Sequence, residues 1–271
     1  MVTADDLIAF VTRHPRLLVL TGAGCSTDSG IPDYRDTNGD WKRTQPVTYQ
    51  AFTGSLHTRQ RYWARSIVGF RKLRGVQPND AHRALSALED QGRVHLLVTQ
   101  NVDGLHQAAG SRNVVDLHGR IDMVRCLGCA ARVPRDIFQE VLTHRNPDFA
   151  ELDALSAPDG DADLEAVSFD AVEVPACDRC GGLMKPDVVF FGEGVPAERV
   201  QRVTTALETA DAMLVVGSSL MVYSGFRFVK AMAEHGKPVA AINLGRTRAD
   251  DLLALKVEAN CAEALRALPT W

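Results

Sequence analysis

The sequence contains no apolar run long enough to span a membrane and no excess of basic residues. Its 30 lysines and arginines are outnumbered by 34 aspartates and glutamates, which gives a net charge of −4. A general nucleic-acid-binding surface needs the opposite balance. The sequence also has no internal repeat and no low-complexity tract. These absences predict a globular protein whose partners include neither nucleic acid nor membrane.

The N-terminal residues carry two acids, Asp5 and Asp6, and no basic region, unlike a secretory signal or a mitochondrial presequence. We therefore expect a cytoplasmic protein in a reducing compartment, where cysteine pairs bind metal. The composition, with 45% hydrophobic and 24% charged residues, is that of an ordinary globular enzyme. A length of 271 residues accommodates one large domain and a small module, and we expect a monomer.

Four of the six cysteines form two C-x-x-C pairs, Cys126 with Cys129 and Cys177 with Cys180. This spacing lets two pairs surround one zinc ion, and a disulfide pairing is the less favoured alternative. The 47 residues between the pairs, 130–176, are too many for a compact zinc ribbon and indicate an insertion. Since four thiolates leave no open position for water, the one zinc ion would be structural.

Five short apolar runs end in small or polar residues, and they occupy positions 17–20, 94–98, 113–117, 213–216 and 238–242. Runs of this kind suit parallel strands that are buried on both faces. Helix-like stretches separate most of them, at 79–88, 196–210 and 224–235. The alternation predicts an α/β fold with a parallel sheet, whose ligands bind beyond the carboxyl ends of the strands.

The loop Gly22–Thr27 follows the first predicted strand, as a phosphate-binding loop does. It departs from G-x-G-x-x-G because Thr27 occupies the third glycine position. No acidic residue at the end of a second strand is placed to hold a ribose, so an oxidoreductase is disfavoured. By itself the loop is weak evidence, since glycines after a strand often only form a turn.

The continuation of this loop is more specific, because Gly22–Arg35 (GAGCSTDSGIPDYR) resembles the cofactor loop of the sirtuins, the NAD-dependent protein lysine deacylases. Further blocks follow in family order around the cysteine pairs: Thr99–His106 (TQNVDGLH), Leu117–Gly119 (LHG), Lys185–Glu193 (KPDVVFFGE), Val216–Leu220 (VGSSL) and Ile242–Asn243. The segment 59–65 and the long cysteine spacer are similar to the class II branch, in a bacterial member. Cys25 and Tyr34 replace the aliphatic residue and the phenylalanine that are usual in the family.

The resemblance implies a Rossmann-like parallel sheet with helices on both faces, a small zinc-binding module and a helical cofactor-loop segment. The expected NAD-binding domain comprises 1–35, 74–119 and 186–271. Residues 36–73 would form the helical segment around the cofactor and acyl pocket. Residues 120–185 would form the zinc module, with an acidic surface insertion at about 144–172.

The implied reaction consumes NAD as a co-substrate, transfers an acyl group from a protein lysine to ADP-ribose and releases nicotinamide. The partners would be acylated lysines of protein substrates. Protein ADP-ribosyl transfer in the same NAD pocket is the main alternative. An oxidoreductase and a non-catalytic zinc-dependent interaction module are further alternatives, and the polar groups at the strand ends argue against the last.

The resemblance assigns His118 as the catalytic base, since imidazole is largely neutral above its ordinary pKa of about 6.5. His106 is the nearest rival, but it lies on a predicted helix. Asn101 and Asp103 are implied to hold the nicotinamide amide and its ribose, with turn and capping roles as the alternative. The implied cofactor-binding residues are Gly22, Ala23, Gly24, Thr27, Asp33, Tyr34, Arg35, Gln100, Asn101, Asp103, Gly217, Ser218, Ser219, Asn243 and Cys261, the last through its backbone.

The substrate side is implied by two shorter stretches. Val189, Phe190, Phe191 and Gly192 resemble the segment that pairs with the substrate backbone, with an ordinary buried strand as the alternative. Tyr62 and Arg65 lie three apart on one helical face and resemble the pair that selects acidic acyl groups. They lead to the hypothesis of glutaryl-like or longer acyl chains; an amphipathic surface helix is the alternative. Cys25 raises the question of sensitivity to thiol reagents.

Overall fold

The computed structural model describes residues 4–42, 45–164 and 167–269. The predicted domain ends at residues 1 and 271 lie outside this part of the chain. Among the described residues, no helix has the length and apolar character needed to cross a membrane.

The helices are α1 (Ala4–Arg13), α2 (Tyr49–Gly54), α3 (Leu56–Leu73), α4 (Asp80–Asp90), α5 (Leu105–Ala108), α6 (Arg135–Arg145), α7 (Pro147–Ala150), α8 (Ala197–Thr209), α9 (Tyr223–Glu234) and α10 (Cys261–Arg266). The strands are β1 (Leu17–Thr21), β2 (Val94–Thr99), β3 (Val114–Asp116), β4 (Gly119–Cys126), β5 (Arg132–Pro134), β6 (Ser156–Ala157), β7 (Asp161–Ala162), β8 (Met184–Val188), β9 (Ala212–Val216), β10 (Val239–Ile242) and β11 (Leu255–Val257).

Six strands form one parallel sheet in the order β11-β10-β9-β1-β2-β3. From β1 the chain proceeds outward through β2 and β3, and it later returns to the other side of β1 to add β9, β10 and β11. The direction of strand order therefore reverses between β1 and β9. In sheets of this type, such a reversal opens a crevice at the carboxyl ends of the strands, where ligands bind.

Both faces of the parallel sheet are covered by helices, which explains its continuous apolar strands. Leu17 and Val19 of β1 pack in one hydrophobic cluster with residues of α1, α4 and α10. Leu18 and Leu20 point to the opposite face and pack with residues of α8 and α9. The predicted α/β fold with a Rossmann-like parallel sheet is confirmed.

A small antiparallel sheet, β5-β4-β8, carries the cysteine pairs near the ends of its strands. It packs with α3 and α6 in a third hydrophobic cluster that includes Trp63, Val124, Phe138 and Met184. The helical segment and the cysteine segment thus share one core. Their division into separate modules at residues 73 and 120 stays a prediction.

The acidic segment 144–172 packs partly into the core, and its assignment as a surface insertion stays a prediction. Phe149, Ala162 and Val172 are buried in the third hydrophobic cluster, beside α3. The acidic side chains Asp153 and Asp170 point outward and are 79% and 81% exposed. The acidic side chains therefore lie on the outer side of the segment, while its apolar side chains pack inward.

All five predicted strands are present in the parallel sheet, and the three predicted helices correspond to α4, α8 and α9. The predicted cap of α4 is also present, because the Asn79 side chain accepts hydrogen bonds from the backbone N–H groups of Ala81 and His82. The sixth strand, β11, was missed. It has only three residues, of which Val257 alone is fully buried, so it gives no apolar run to recognise.

Candidate active site and zinc centre

A cavity of about 560 Å³ lies at the carboxyl ends of the parallel strands. Its wall includes Gly22 after β1, Gln100 after β2, Gly217 after β9 and Asn243 after β10. It coincides with the reversal of strand order, and its volume is within the range of small-molecule sites. The position and size both fit a nucleotide.

Two strand-end loops meet in this wall at a distance that requires glycine. A Cβ atom on Gly22 would lie 2.7 Å from the Cβ of Ser218, and one on Gly217 would lie 2.3 Å from the backbone nitrogen of Cys25. Gly217 also has a φ of +62°, which disfavours other residues. The loops therefore bring backbone, rather than bulky side chains, to the cavity, as phosphate recognition needs.

His118 lies between β3 and β4 and lines the cavity. Its Nδ1 is 2.9 Å from the carbonyl oxygen of Gln100, and its Nε2 is 2.7 Å from Oγ of Ser224. Since a carbonyl can only accept, Nδ1 carries the proton and Nε2 offers its lone pair. Burial lowers the pKa of His118 to about 4, against a smaller raising effect of the Gln100 hydrogen bond. The imidazole is therefore neutral and oriented for accepting a proton.

Asn101 and Asp103 both lie after β2, but only Asn101 lines the main cavity. The Asn101 side-chain amide donates to the carbonyl of Gly22 at 3.1 Å and to Oγ of Ser26 at 3.0 Å. Asp103 lines a small adjoining hollow and accepts from Ser26 Oγ at 2.8 Å and from the Leu105 backbone N–H at 2.9 Å. Burial raises the pKa of Asp103. The turn role proposed for Asp103 is present, and its contact with a ribose stays a prediction.

Arg35 reaches the cavity from the loop that follows β1. Its guanidinium carbon lies 3.9 Å from the ring centroid of Trp41, and Nη1 donates to the carbonyl oxygen of Gly39 at 2.7 Å. The neighbouring Asp33 forms a 2.5 Å ion pair with Lys42. These contacts hold the loop in place, and they define Trp41 as a wall residue that sequence reasoning did not identify.

Most predicted cofactor and substrate residues come together in the wall of the main cavity: Gly22, Ala23, Gly24, Thr27, Asp33, Tyr34, Arg35, Gln100, Asn101, His118, Val189, Phe190, Phe191, Gly192, Gly217, Ser218, Ser219 and Asn243. Cys261 begins α10, is 6% exposed and does not line this cavity. The individual roles of all these residues stay predictions, because position alone does not assign a contact.

Sequence reasoning missed Ser224 and Asp159. Ser224, in the first turn of α9, meets His118 only after folding, 106 residues along the chain. Asp159 lies in the acidic segment, lines both the main cavity and its neighbour, and accepts a hydrogen bond from the Tyr34 hydroxyl. Burial raises the pKa of Asp159 to about 6. No local sequence signal links either residue to the site.

A second cavity of about 320 Å³ adjoins the first and shares Tyr34, Asp159 and Phe190 with it. Tyr62 and Arg65 both line this second cavity, as the acyl-pocket prediction requires. However, the Arg65 guanidinium already binds a carboxylate, since its Nε and Nη2 each lie 2.8 Å from an oxygen of Asp161. In this arrangement Asp161 thus occupies the Arg65 guanidinium, and the acyl preference expected from Tyr62 and Arg65 stays a prediction.

The four predicted metal ligands converge at the end of the small sheet. Sγ of Cys126 lies 3.5 Å from that of Cys180, and Sγ of Cys129 lies 3.8 Å from that of Cys177. A disulfide needs about 2.05 Å, whereas sulfurs at 2.3 Å around a tetrahedral zinc ion are about 3.8 Å apart. The spacing fits one structural zinc ion and excludes the disulfide alternative in this arrangement.

The backbone around these thiols supports metal binding. The N–H groups of Gly128 and Cys129 point to Sγ of Cys126, at 3.3 and 3.4 Å. A Cβ atom on Gly182 would lie 2.9 Å from the same sulfur. The backbone of both turns therefore packs closely around the sulfurs, which supports a site that binds a metal ion through thiolates.

A parallel α/β sheet with a nucleotide-sized cavity, joined to a four-cysteine centre, defines a zinc-containing nucleotide-binding protein. The chain belongs to the Sir2 family, whose family model matches residues 22–224. The sirtuin resemblance is thus confirmed, and the class II assignment stays a prediction.

The relatives are bacterial proteins that match nearly the whole chain. An NAD-dependent protein deacetylase of Xanthomonas campestris pv. campestris (strain 8004) is 65% identical over 263 residues, covering 97% of this chain and 90% of its own length. NAD-dependent protein deacetylase 2 of Bradyrhizobium diazoefficiens is 63% identical, with 96% of each covered. A solved structure described as Sir2–p53 peptide–NAD⁺ has a TM-score of 0.78 and 29% identity, covering 98% of this chain and 96% of that one.

Proposed function

We propose that this protein is an NAD-dependent protein lysine deacylase, which transfers the acyl group to ADP-ribose and releases nicotinamide. The observation that carries the proposal is His118: a half-buried, neutral imidazole in the wall of a nucleotide-sized cavity. Relatives named as NAD-dependent protein deacetylases, at up to 65% identity, support the same activity.

The proposed reaction begins at the anomeric carbon of the nicotinamide ribose. The bond to nicotinamide breaks and its electron pair leaves with the nicotinamide nitrogen, while the amide oxygen of the acyl-lysine forms a new bond to the same carbon. A ribose hydroxyl then attacks the resulting imidate and loses its proton to Nε2 of His118. Water completes the release of free lysine and O-acyl-ADP-ribose.

His118 suits this proton transfer because hydrogen bonds at both ring nitrogens fix its orientation. Nδ1 donates to the Gln100 carbonyl, which leaves Nε2 as the basic atom facing Ser224. A general base needs a free lone pair near the reacting hydroxyl, and a neutral imidazole supplies one. We assign Ser224 a positioning role, since its hydroxyl lies 2.7 Å from Nε2.

The substrate peptide is proposed to bind along Val189–Gly192. The Val189 backbone N–H donates to the carbonyl of His118 at 2.7 Å, which ties this segment directly to the catalytic histidine. The Tyr49 N–H donates to the Phe191 carbonyl at 2.9 Å. An extended peptide added beside this segment would bring its acyl-lysine toward both cavities, with weak selection for peptide sequence.

The test is mass spectrometry of an acetyl-lysine peptide incubated with the zinc-loaded protein, with and without NAD. We expect nicotinamide and O-acetyl-ADP-ribose in equal amounts, only when NAD is present. His118→Ala should reduce the rate by at least about 100-fold, in the range of lost general-base catalysis. His235→Ala, which removes an exposed imidazole at the end of α9, is the matched control and should retain the rate.

Two outcomes would contradict the proposal. Transfer of label from NAD to protein, without any O-acetyl-ADP-ribose, would indicate ADP-ribosyl transfer instead. Near-normal deacetylation by His118→Ala would remove His118 from the mechanism while leaving the reaction class intact.

A further inference from the structure

The second cavity is walled on one side by the acidic segment, through Pro158, Asp159, Asp161 and Asp163. Under the proposed function, this cavity adjoins the site of the acyl group, so its wall selects among acyl chains. The inference below therefore rests on the proposed function and concerns the class of acyl chain.

Asp161 is held against α3 by a close backbone contact. A Cβ atom on Gly69 would lie 2.3 Å from the carbonyl oxygen of Gly160 and 2.5 Å from the carbonyl carbon of Asp161. Gly69 lies one helical turn after Arg65, so both residues occupy the same face of α3. The close approach at Gly69 thus places the Asp161 carboxylate directly opposite the Arg65 guanidinium.

Further contacts fix the acidic segment along the same helix. The Lys72 ammonium donates to the carbonyl of Ala154 at 2.6 Å, and the Arg71 guanidinium donates to the carbonyl of Leu152 at 2.6 Å. Leu164 and Ala162 are buried beside α3 in the third hydrophobic cluster. The segment is therefore anchored on both sides of Asp161, which makes the ion pair a built part of the cavity wall.

The ion pair between Asp161 and Arg65 determines the charge that an acyl chain meets at the cavity wall. Arg65 is bound at both Nε and Nη2 by Asp161, and Asp163 lies 3.6 Å from Nη2. Arg65 is only 14% exposed, so its charge is neutralised mainly by these carboxylates. The other lining arginine, Arg61, belongs to the exposed surface of α3. A carboxylate that approached Arg65 would face the like charges of Asp161 and Asp163 and would have to displace Asp161 to reach that guanidinium.

Apart from Gln45 and the two tyrosines, the rest of the wall is apolar. Ile121, Val188 and Phe190 are buried and line the cavity. The Tyr62 ring packs edge-on against Phe52, with 5.4 Å between centroids. Such a wall stabilises methylene groups by removing them from water, whereas a carboxylate loses hydration when it enters an apolar surrounding.

We propose that Asp161 is a specificity-determining residue, which engages Arg65 and makes the enzyme prefer uncharged acyl chains over carboxylated chains of the same length. Asp163 supports the same effect. In this arrangement Tyr62 and Arg65 keep the Tyr-x-x-Arg spacing. Asp161, 96 positions from Arg65, occupies the guanidinium that would otherwise bind an acid.

The experiment compares kcat/KM for two lysine peptides that differ in one terminal group: glutaryl-lysine, and the same chain ending in a primary amide. For the unmodified protein we expect the amide to be used at least about 10-fold better. In Asp161→Asn with Asp163→Asn, kcat/KM for glutaryl-lysine relative to the amide should rise by about 10-fold or more. Adding Arg65→Gln to that variant should abolish the gain, because the new contact is with the guanidinium.

Asp153→Asn is the matched control, since it removes an exposed acid of the same segment and should leave the ratio unchanged. A preference of the unmodified protein for glutaryl-lysine would overturn the proposal without any variant. So would an unchanged ratio in a folded double variant, with folding checked by thermal unfolding. Absence of turnover with every acyl peptide, acetyl-lysine included, would instead reject the proposed function.

Discussion

The two ring nitrogens of His118 both have hydrogen-bond partners, Gln100 and Ser224, and the ring is half-buried. We predict that His118 is still neutral at pH 5.5, because burial lowers its pKa to about 4. ¹⁵N-histidine NMR spectra will show this, with the signal assigned by its loss in His118→Ala. A protonated His118 at pH 6 would contradict the prediction.

The same shift has a consequence for stability. Between its ordinary pKa of about 6.5 and the folded value of about 4, His118 takes up a proton more readily in the unfolded chain. Protonation therefore favours unfolding, and the contribution of the neutral imidazole decreases as pH falls through this interval.

Burial lowers the reactivity that the position of Cys25 in the cofactor loop suggests. Its position in the cofactor loop raised the question of reactivity toward thiol reagents. The thiol is 1% exposed, and burial raises its pKa well above the ordinary value, with Cys261 and Asp103 adding to the effect. Because the thiolate is the reactive form, Cys25 acts as a small core residue of this loop.

Helix α3 depends on Gly69 for its contact with the acidic segment. We predict that Gly69→Ala lowers the free energy of unfolding by about 1–3 kcal/mol, because the added methyl overlaps the backbone of Gly160 and Asp161. In a helix exposed to solvent the same change would be favourable by about 1 kcal/mol. Urea unfolding is the measurement.

Gly54, at the end of α2, is the matched control. A Cβ atom there would have no neighbour within 4 Å, so Gly54→Ala should be neutral or stabilising. If Gly69→Ala unfolds at the same urea concentration as Gly54→Ala, then α3 and the acidic segment are not in rigid contact.

The elements that sequence could predict were those whose signal is local. A strand such as β1 is a continuous apolar run because both its faces are covered, and α4 begins at a capping asparagine, Asn79. The composition of the acidic segment reports its exposed charges and gives no sign of the inward-facing Phe149 and Val172. Its packing against α3 depends on residues about 80–110 positions away.

The cysteine centre affects stability beyond its own sheet, because the small sheet that carries it shares one hydrophobic cluster with α3. We predict one zinc ion per chain by elemental analysis. Removing it with a chelator should lower the midpoint of thermal unfolding by several degrees and abolish deacylation, since metal binding supplies folding free energy to such modules.

Cys126→Ser should lose the zinc ion, whereas Cys261→Ser should keep it, since Cys261 lies in the first turn of α10 and outside the four-cysteine group. Stoichiometric zinc in Cys126→Ser would show that the metal is bound elsewhere.

The sequence by itself determined five of the six parallel strands, three of the helices, the paired cysteines and most of the strand-end residues that form the cavity, His118 among them. Short sequence patterns predict these features, because periodicity, capping and ligand spacing each act over a few residues. Only the tertiary structure decided that Asp161 engages Arg65, that Ser224 meets His118 and that Asp159 joins two cavities. Such contacts join segments that are distant in the sequence. Burial of apolar surface brings these segments together and sets the distances between them, so no short sequence pattern predicts the contacts.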